Sequence, residues 1–186
     1  MRKIIALTAL LIAISLPAAA CVGKTLLVGT DSTPRSRVIA QVLAILINER
    51  TGTTIEVVDF NDAKALHDEL TSGDVDLALA YTARALELEG LPLITDSQEA
   101  LELVKTHYRE ELNLKWLSPL GFSEPGNTAS LAATLAQKHA LKKFPALPRL
   151  IAKTQSVFTE EVIEQLVGAE NHAKAVRAFL RNKKLI

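Results

Sequence analysis

The stretch Ser72-Gly73-Asp74-Val75-Asp76-Leu77-Ala78-Leu79-Ala80-Tyr81-Thr82 puts a helix stop, a buried strand and a loop into eleven residues. Gly73 follows an apolar-periodic run ending at Leu70, where a residue without a Cβ can take the left-handed conformation that closes a helix. Val75 to Ala80 then reads as a short strand buried on both faces, as in parallel sheets covered by helices. In an open α/β sheet small ligands sit in the crevice at the carboxyl ends of the strands. That places Tyr81-Thr82-Ala83-Arg84 at a candidate site.

The rest of the chain alternates around this unit. Thr25 to Gly29 reads as a first strand. Asp31-Ser32-Thr33-Pro34 opens a helix with Ser32 or Thr33 as cap, and Val38, Ile39, Val42, Ile45 and Leu46 recur at helical spacing until Gly52. Thr54 to Asp59 is a second, β-branched strand, and Asn61 or Asp62 caps a second helix through Leu66 and Leu70. Successive strand-helix-strand units make a parallel sheet with right-handed crossovers. The expectation is one three-layer α/β domain, a mainly parallel sheet flanked by helices.

After Tyr81 the sequence gives a loop at Glu89-Gly90-Leu91-Pro92 and a helix from Asp96, with Glu99 completing a capping box and Leu101, Val104 and Tyr108 on one face. Trp116 to Phe122 should return to the sheet. Gly121, Pro125 and Gly126 mark a turn or hinge around Ser123-Glu124. Thr128 to Ala133 fits either a strand or a helix start. From Leu135 onward the pattern reads as helical: Leu135 to Leu141, a segment punctuated by Pro145 and Pro148, Thr159 to Leu166, and Asn171 to Leu180.

Residues 1 to 20 read as a signal peptide. Arg2 and Lys3 give a positive start, Ile4 to Leu16 an apolar core too short to span a bilayer comfortably, and Ala18-Ala19-Ala20 the small residues of a cleavage site. Cys21 stands where a bacterial lipoprotein carries its lipidated cysteine. Ala18 replaces the leucine usual three residues earlier, so ordinary cleavage after Ala20 is the competing reading. Removal of Arg2 and Lys3 leaves 19 basic against 21 acidic residues, which argues against a nucleic-acid surface. The single cysteine and the dispersed His67, His107, His139 and His172 form no readable zinc or cofactor motif. Asp31, Ser32 and a distant histidine lack a Gly-x-Ser-x-Gly elbow, so no hydrolase, and no enzyme, is expected.

The order Val28-Gly29-Thr30-Asp31-Ser32, Ser72-Gly73-Asp74-Val75-Asp76-Leu77, Tyr81-Thr82, Ala85-Leu86 and Trp116-Leu117-Ser118-Pro119-Leu120-Gly121-Phe122 resembles the substrate-binding proteins of ABC transporters for glycine betaine, choline and carnitine. Leu141-Lys142-Lys143-Phe144-Pro145, Thr159-Glu160-Glu161 and Val176-Arg177-Ala178-Phe179-Leu180 resemble that family's closing helices. The resemblance implies a type 2 periplasmic binding protein, in which two lobes close on a ligand, the second inserted after the Trp-Leu-x-Pro-Leu-Gly-Phe segment. Here only 18 residues separate Phe122 from Leu141, too few for another α/β lobe. The expectation is therefore residues 21 to 186 as a single lobe with its partner lobe missing.

The ligand-binding candidates are Thr30, Asp31 and Ser32 after the first strand, Asn61 and Asp62 after the second, and Tyr81, Thr82 and Arg84 after the third. Tyr81 offers a π face to an ammonium group; it would equally serve to cap the sheet edge. Helix capping alone accounts for Thr30, Asp31, Ser32, Asn61 and Asp62 somewhat better than ligand binding does. Trp116 sits in an apolar run that suits a core. Where the family has Tyr-Thr-Gly-Thr, this chain has Tyr81-Thr82-Ala83-Arg84, and a free guanidinium there would repel a quaternary ammonium ion and favour a carboxylate. The resemblance implies an exported, transport and osmoprotection role with a small zwitterionic or quaternary-ammonium ligand and an ABC permease as partners, and a homodimer if a second copy replaces the absent lobe. The competing expectation is an envelope interaction lipoprotein that uses the lobe as a scaffold without a transport ligand.

Overall fold

The computed structural model describes residues 25 to 186; the proposed signal peptide and Cys21 lie outside them. Thirteen elements alternate early and turn helical late: β1 (Leu26–Thr30), α1 (Pro34–Thr51), β2 (Ile55–Asp59), α2 (Ala63–Ser72), β3 (Leu77–Tyr81), α3 (Thr82–Leu88), α4 (Ser97–Glu110), β4 (Leu114–Glu124), β5 (Asn127–Gln137), α5 (Lys138–Lys143), α6 (Leu147–Ala152), α7 (Glu160–Val167) and α8 (His172–Asn182). The strand order is β2-β1-β3-β5-β4. β1 pairs in parallel with β2 and β3, whereas β5 runs antiparallel to both β3 and β4, so four of the five strands share one direction.

Alternation along the strands builds the three layers. Leu77 and Leu79 of β3 and Ala132 and Ala136 of β5 face a core with α1, α6, α7 and α8. Ala78, Ala133 and Leu135 face the opposite core with α2, α3 and α4, where Trp116 packs edge-on to Tyr108 at 5.6 Å. Trp116 is thus a core residue. Gly52 and Gly73 close α1 and α2 in the left-handed conformation, and Asp62, Asp96 and Thr159 accept backbone N–H bonds as caps of α2, α4 and α7. Thr33 holds the cap position of α1 without a side-chain cap bond.

One sequence expectation fails here. Residues 127 to 137 form one strand and helix begins only at Lys138, so the helix expected from Leu135 is wrong at its start. The run Ala132-Ala133-Thr134-Leu135-Ala136 is buried on both faces between β3 and β4, where small residues fit a crowded sheet centre. β4 and β5 meet in a hairpin whose turn is Pro125-Gly126, with Glu124 paired to Asn127. Gly126 has φ +78°, and proline before such a glycine is the type II turn signature.

Candidate functional site

The carboxyl ends of β1, β2 and β3 and the first turns of α1 and α2 surround a cleft of about 640 Å³. Parallel strands deliver their following loops to one edge of the sheet, so residues distant in sequence converge there. Asp31, Asn61, Asp62, Tyr81 and Arg84 all line this cleft. Thr30, Ser32 and Thr82 do not. Thr30 is fully buried and its hydroxyl accepts the Ser32 N–H at 3.2 Å. Ser32 sits at φ +65°, turned so that its hydroxyl lies 3.2 Å from the Phe60 carbonyl oxygen and 3.3 Å from Asp59. The Thr82 hydroxyl accepts the Leu131 N–H at 3.0 Å inside the core. These three side chains hold the loops in place, with their hydroxyls bonded to the backbone and, for Ser32, also near the Asp59 carboxylate.

Two arginines reach the rim, and both are neutralised. Arg35 of α1 donates to the Ser123 carbonyl at 2.9 Å, pairs with Glu160 and Glu164 of α7, and lies 5.9 Å over the Phe122 ring. Arg84 meets Glu124 at 3.4 Å and Glu87 at 3.8 Å. The fixed, free cation expected at Arg84 is therefore a paired one. Among the ionised residues lining the cleft, Asp31, Asp62, Glu124 and Glu164 face Arg35 and Arg84, which leaves an excess of two negative charges. Asp31 uses one carboxylate oxygen on Thr33 and Asp62 one on the Ala65 N–H. Their other oxygens have no partner among the described residues.

Tyr81 stands between these charges. Its ring meets Phe122 edge-on at 6.5 Å, while its hydroxyl is buried without a hydrogen-bond partner among the described residues. Burial pushes the ionisation of that hydroxyl up, so it is a neutral donor at any physiological pH. An unmade bond of this kind costs about 1–3 kcal/mol.

Deeper in the cleft, between α2 and α3, the walls become apolar and end at His67 and Tyr108. There the polar atoms are satisfied. His67 Nε2 lies 3.0 Å from the Tyr108 hydroxyl and 3.2 Å from Glu89, Glu89 also meets His107 at 2.7 Å, and the Tyr108 hydroxyl donates to the Ala85 carbonyl at 3.3 Å. Burial lowers the pKa of His67 and outweighs the upward pull of Glu89 and Asp68. Its folded-state pKa is then below the unfolded value of about 6.5, so an acidified unfolded chain binds a proton that the folded one resists. Stability should fall as pH drops below about 6.5, and His67→Gln should flatten that dependence. Urea midpoints at pH 7.5 and 5.5 for both proteins check this; identical slopes would remove His67 from the account.

Arg35, Glu124, Pro125 and Glu164 are cleft residues that sequence reasoning missed. The turn signal at Pro125-Gly126 was visible, but nothing local places a turn at the rim of a site.

The profile described as the substrate-binding domain of the ABC-type glycine betaine transport system matches residues 24–125, just over half of the chain. The chain belongs to this family. The match ends at Pro125, in the turn between β4 and β5. Among its relatives, the carnitine transport binding protein OpuCC of Listeria monocytogenes serotype 1/2a (strain 10403S) is 30% identical over 102 residues, which are 53% of this chain and 33% of that protein. The ergothioneine transport permease/ergothioneine binding protein EgtU of Helicobacter pylori (strain G27) is 30% identical over 127 residues, 67% of this chain and 22% of that protein. The betaine-family chain thus spans a third or less of the curated relatives it matches. Apo YehZ from Escherichia coli shares its fold with a TM-score of 0.77 at 11% identity, over 88% of this chain and all of that one.

Proposed function

We propose that this chain is an exported solute-binding protein, or the retained lobe of one, serving an ABC importer for glycine betaine, carnitine or a related small zwitterion, with weak affinity as a monomer. The observation that carries the reading is the cleft itself: an excess of negative charge and an aromatic ring at Tyr81, gathered where an α/β sheet holds its ligands. A quaternary ammonium group would sit against the Tyr81 ring and the carboxylates of Asp31 and Asp62. A ligand carboxylate would meet the amide N–H groups at the first turn of α1, which has no side-chain cap. The relatives support a transport role, with a permease as partner and a place in the periplasm or at the cell surface, and the family is one of transport proteins rather than enzymes. Lipidation at Cys21 would tether the lobe there.

The single-lobe reading rests on the two-residue turn that joins β4 to β5 where the family profile stops. An exposed apolar patch where a second lobe would dock would favour the scaffold alternative. Among the described residues the large apolar side chain that is strongly exposed is Leu93, in the loop between α3 and α4.

An open single lobe lacks the opposing rings that would complete a cage. At roughly 0.5–2 kcal/mol per ring, and tenfold per 1.4 kcal/mol, losing two or three of them together with water exclusion weakens binding by about two to four orders of magnitude. Calorimetry should give dissociation constants of roughly millimolar order, with Tyr81→Ala weakening betaine binding about tenfold further. Arg84→Ala frees the Glu124 carboxylate and should strengthen choline binding relative to betaine. Submicromolar choline binding that ignores both substitutions would put the site elsewhere. Affinity that appears only at protein concentrations where a dimer forms would make a second copy the missing lobe.

A further inference from the structure

We infer that the cleft takes an amphiphilic cation, a quaternary-ammonium or zwitterionic head at the rim with an apolar tail of several carbons running inward between α2 and α3. This deepens the proposed function and rests on it. The cleft is larger than a head group alone requires: about 640 Å³ lies within the range that holds drug-sized ligands. Its inner walls are Leu66 and Leu70 of α2, Ala85 and Leu88 of α3 and Leu135 of β5, all apolar and drawn from three elements.

The distribution of free polar atoms sets the ligand's orientation. At the rim, one oxygen each of Asp31 and Asp62 has no partner among the described residues and is open to solvent, where a cationic head can meet it. At the inner end, His67, Tyr108, Glu89 and the Ala85 carbonyl satisfy one another. A polar group pushed inward would be desolvated with no free donor or acceptor to meet it, whereas an apolar one gains the full benefit of leaving water. Charge at the mouth and hydrocarbon inside is the arrangement that costs least. Ala80, on the β3 face that packs against the α2–α4 core, lines the same arm, and its small side chain leaves the space open.

The test is a calorimetric series with the mature protein: tetramethylammonium, then butyl-, hexyl- and octyl-trimethylammonium below their micelle concentrations, with glycine betaine and carnitine alongside. Affinity should rise roughly three- to fourfold per methylene until the arm is full. Ala80→Leu, first confirmed as folded by its cooperative melt, should abolish the dependence on tail length. A flat series on the native protein, with the betaines still binding, overturns the apolar arm and leaves the proposed function standing. A series that rises equally in native and Ala80→Leu proteins also overturns it, because the tail then binds elsewhere on the surface. No response to any head group, with or without a tail, overturns this inference and the proposed function together.

Discussion

Leu77→Asp is expected to leave no folded protein. Leu77 is fully buried, and its strand lies inside the sheet, where it is paired with Val28 of β1 on one side and Ala136 of β5 on the other. Its side chain enters the apolar core shared with α1, α6, α7 and α8. The substitution forfeits about 2–3 kcal/mol of apolar burial and adds the cost of a carboxylate that must be buried unpaired or kept protonated. Together these exceed about 4–5 kcal/mol, a large fraction of the 5–15 kcal/mol that holds a domain together. Soluble yield, far-ultraviolet dichroism and a thermal melt read the outcome. Leu93→Asp, at a side chain that is 73% exposed, should behave like the native protein. A cooperative Leu77→Asp melt within a few degrees of native would mean that β3 is not central to the fold.

How much of this was legible beforehand depends on how local each cause is. β1, α1, β2 and α2 were placed to within a residue or two because their boundaries are set by neighbours in sequence: Gly52 and Gly73 at positive φ, and Asp62 bonding the Ala65 N–H three residues on. β5 was misread at Leu135 to Gln137 because an alanine-rich run has no period that separates a doubly buried strand from a helix. Its identity comes from β3 and β4 on either side, which a local window does not contain. The site divides along the same line. Asp31, Asn61, Asp62, Tyr81 and Arg84 follow strands, and topology alone brings them to the cleft. Whether Thr30, Ser32 and Thr82 spend their hydroxyls on backbone or offer them to a ligand depends on partners such as Leu131, 49 residues from Thr82. Arg35 was invisible as a rim residue because its partners Ser123, Glu160 and Glu164 lie 88, 125 and 129 residues away.

That long-range clamp is where the other large effect should appear. Gly121→Ala is expected to destabilise the protein by about 3 kcal/mol and to loosen the cleft rim with it. A Cβ at Gly121 would lie 2.4 Å from the Phe158 carbonyl oxygen and 3.2 Å from that of Gln155. Both are backbone atoms in the segment between α6 and α7, so no side-chain rotation relieves the contact. The segment itself is held, since Gly121 bridges Thr159, whose hydroxyl caps α7, and α7 carries Glu160 and Glu164 to Arg35. Displacing it lengthens those ion pairs and frees the Arg35 guanidinium beside Tyr81, adding positive charge where an ammonium ligand would bind. Gly29→Ala provides the comparison. There the added carbon would meet Leu66 Cδ1 at 2.3 Å and Val75 Cγ1 at 3.0 Å, side-chain tips that can shift, so its cost should be the smaller of the two. For a chain of this size 3 kcal/mol corresponds to a fall of about 6–12 °C in Tm. Melts of the two variants beside the native protein decide the matter: a Gly121→Ala protein that melts with the native one, or above Gly29→Ala, would mean that β4 and the Phe158 backbone are not in rigid contact and that α7 reaches the rim by other means.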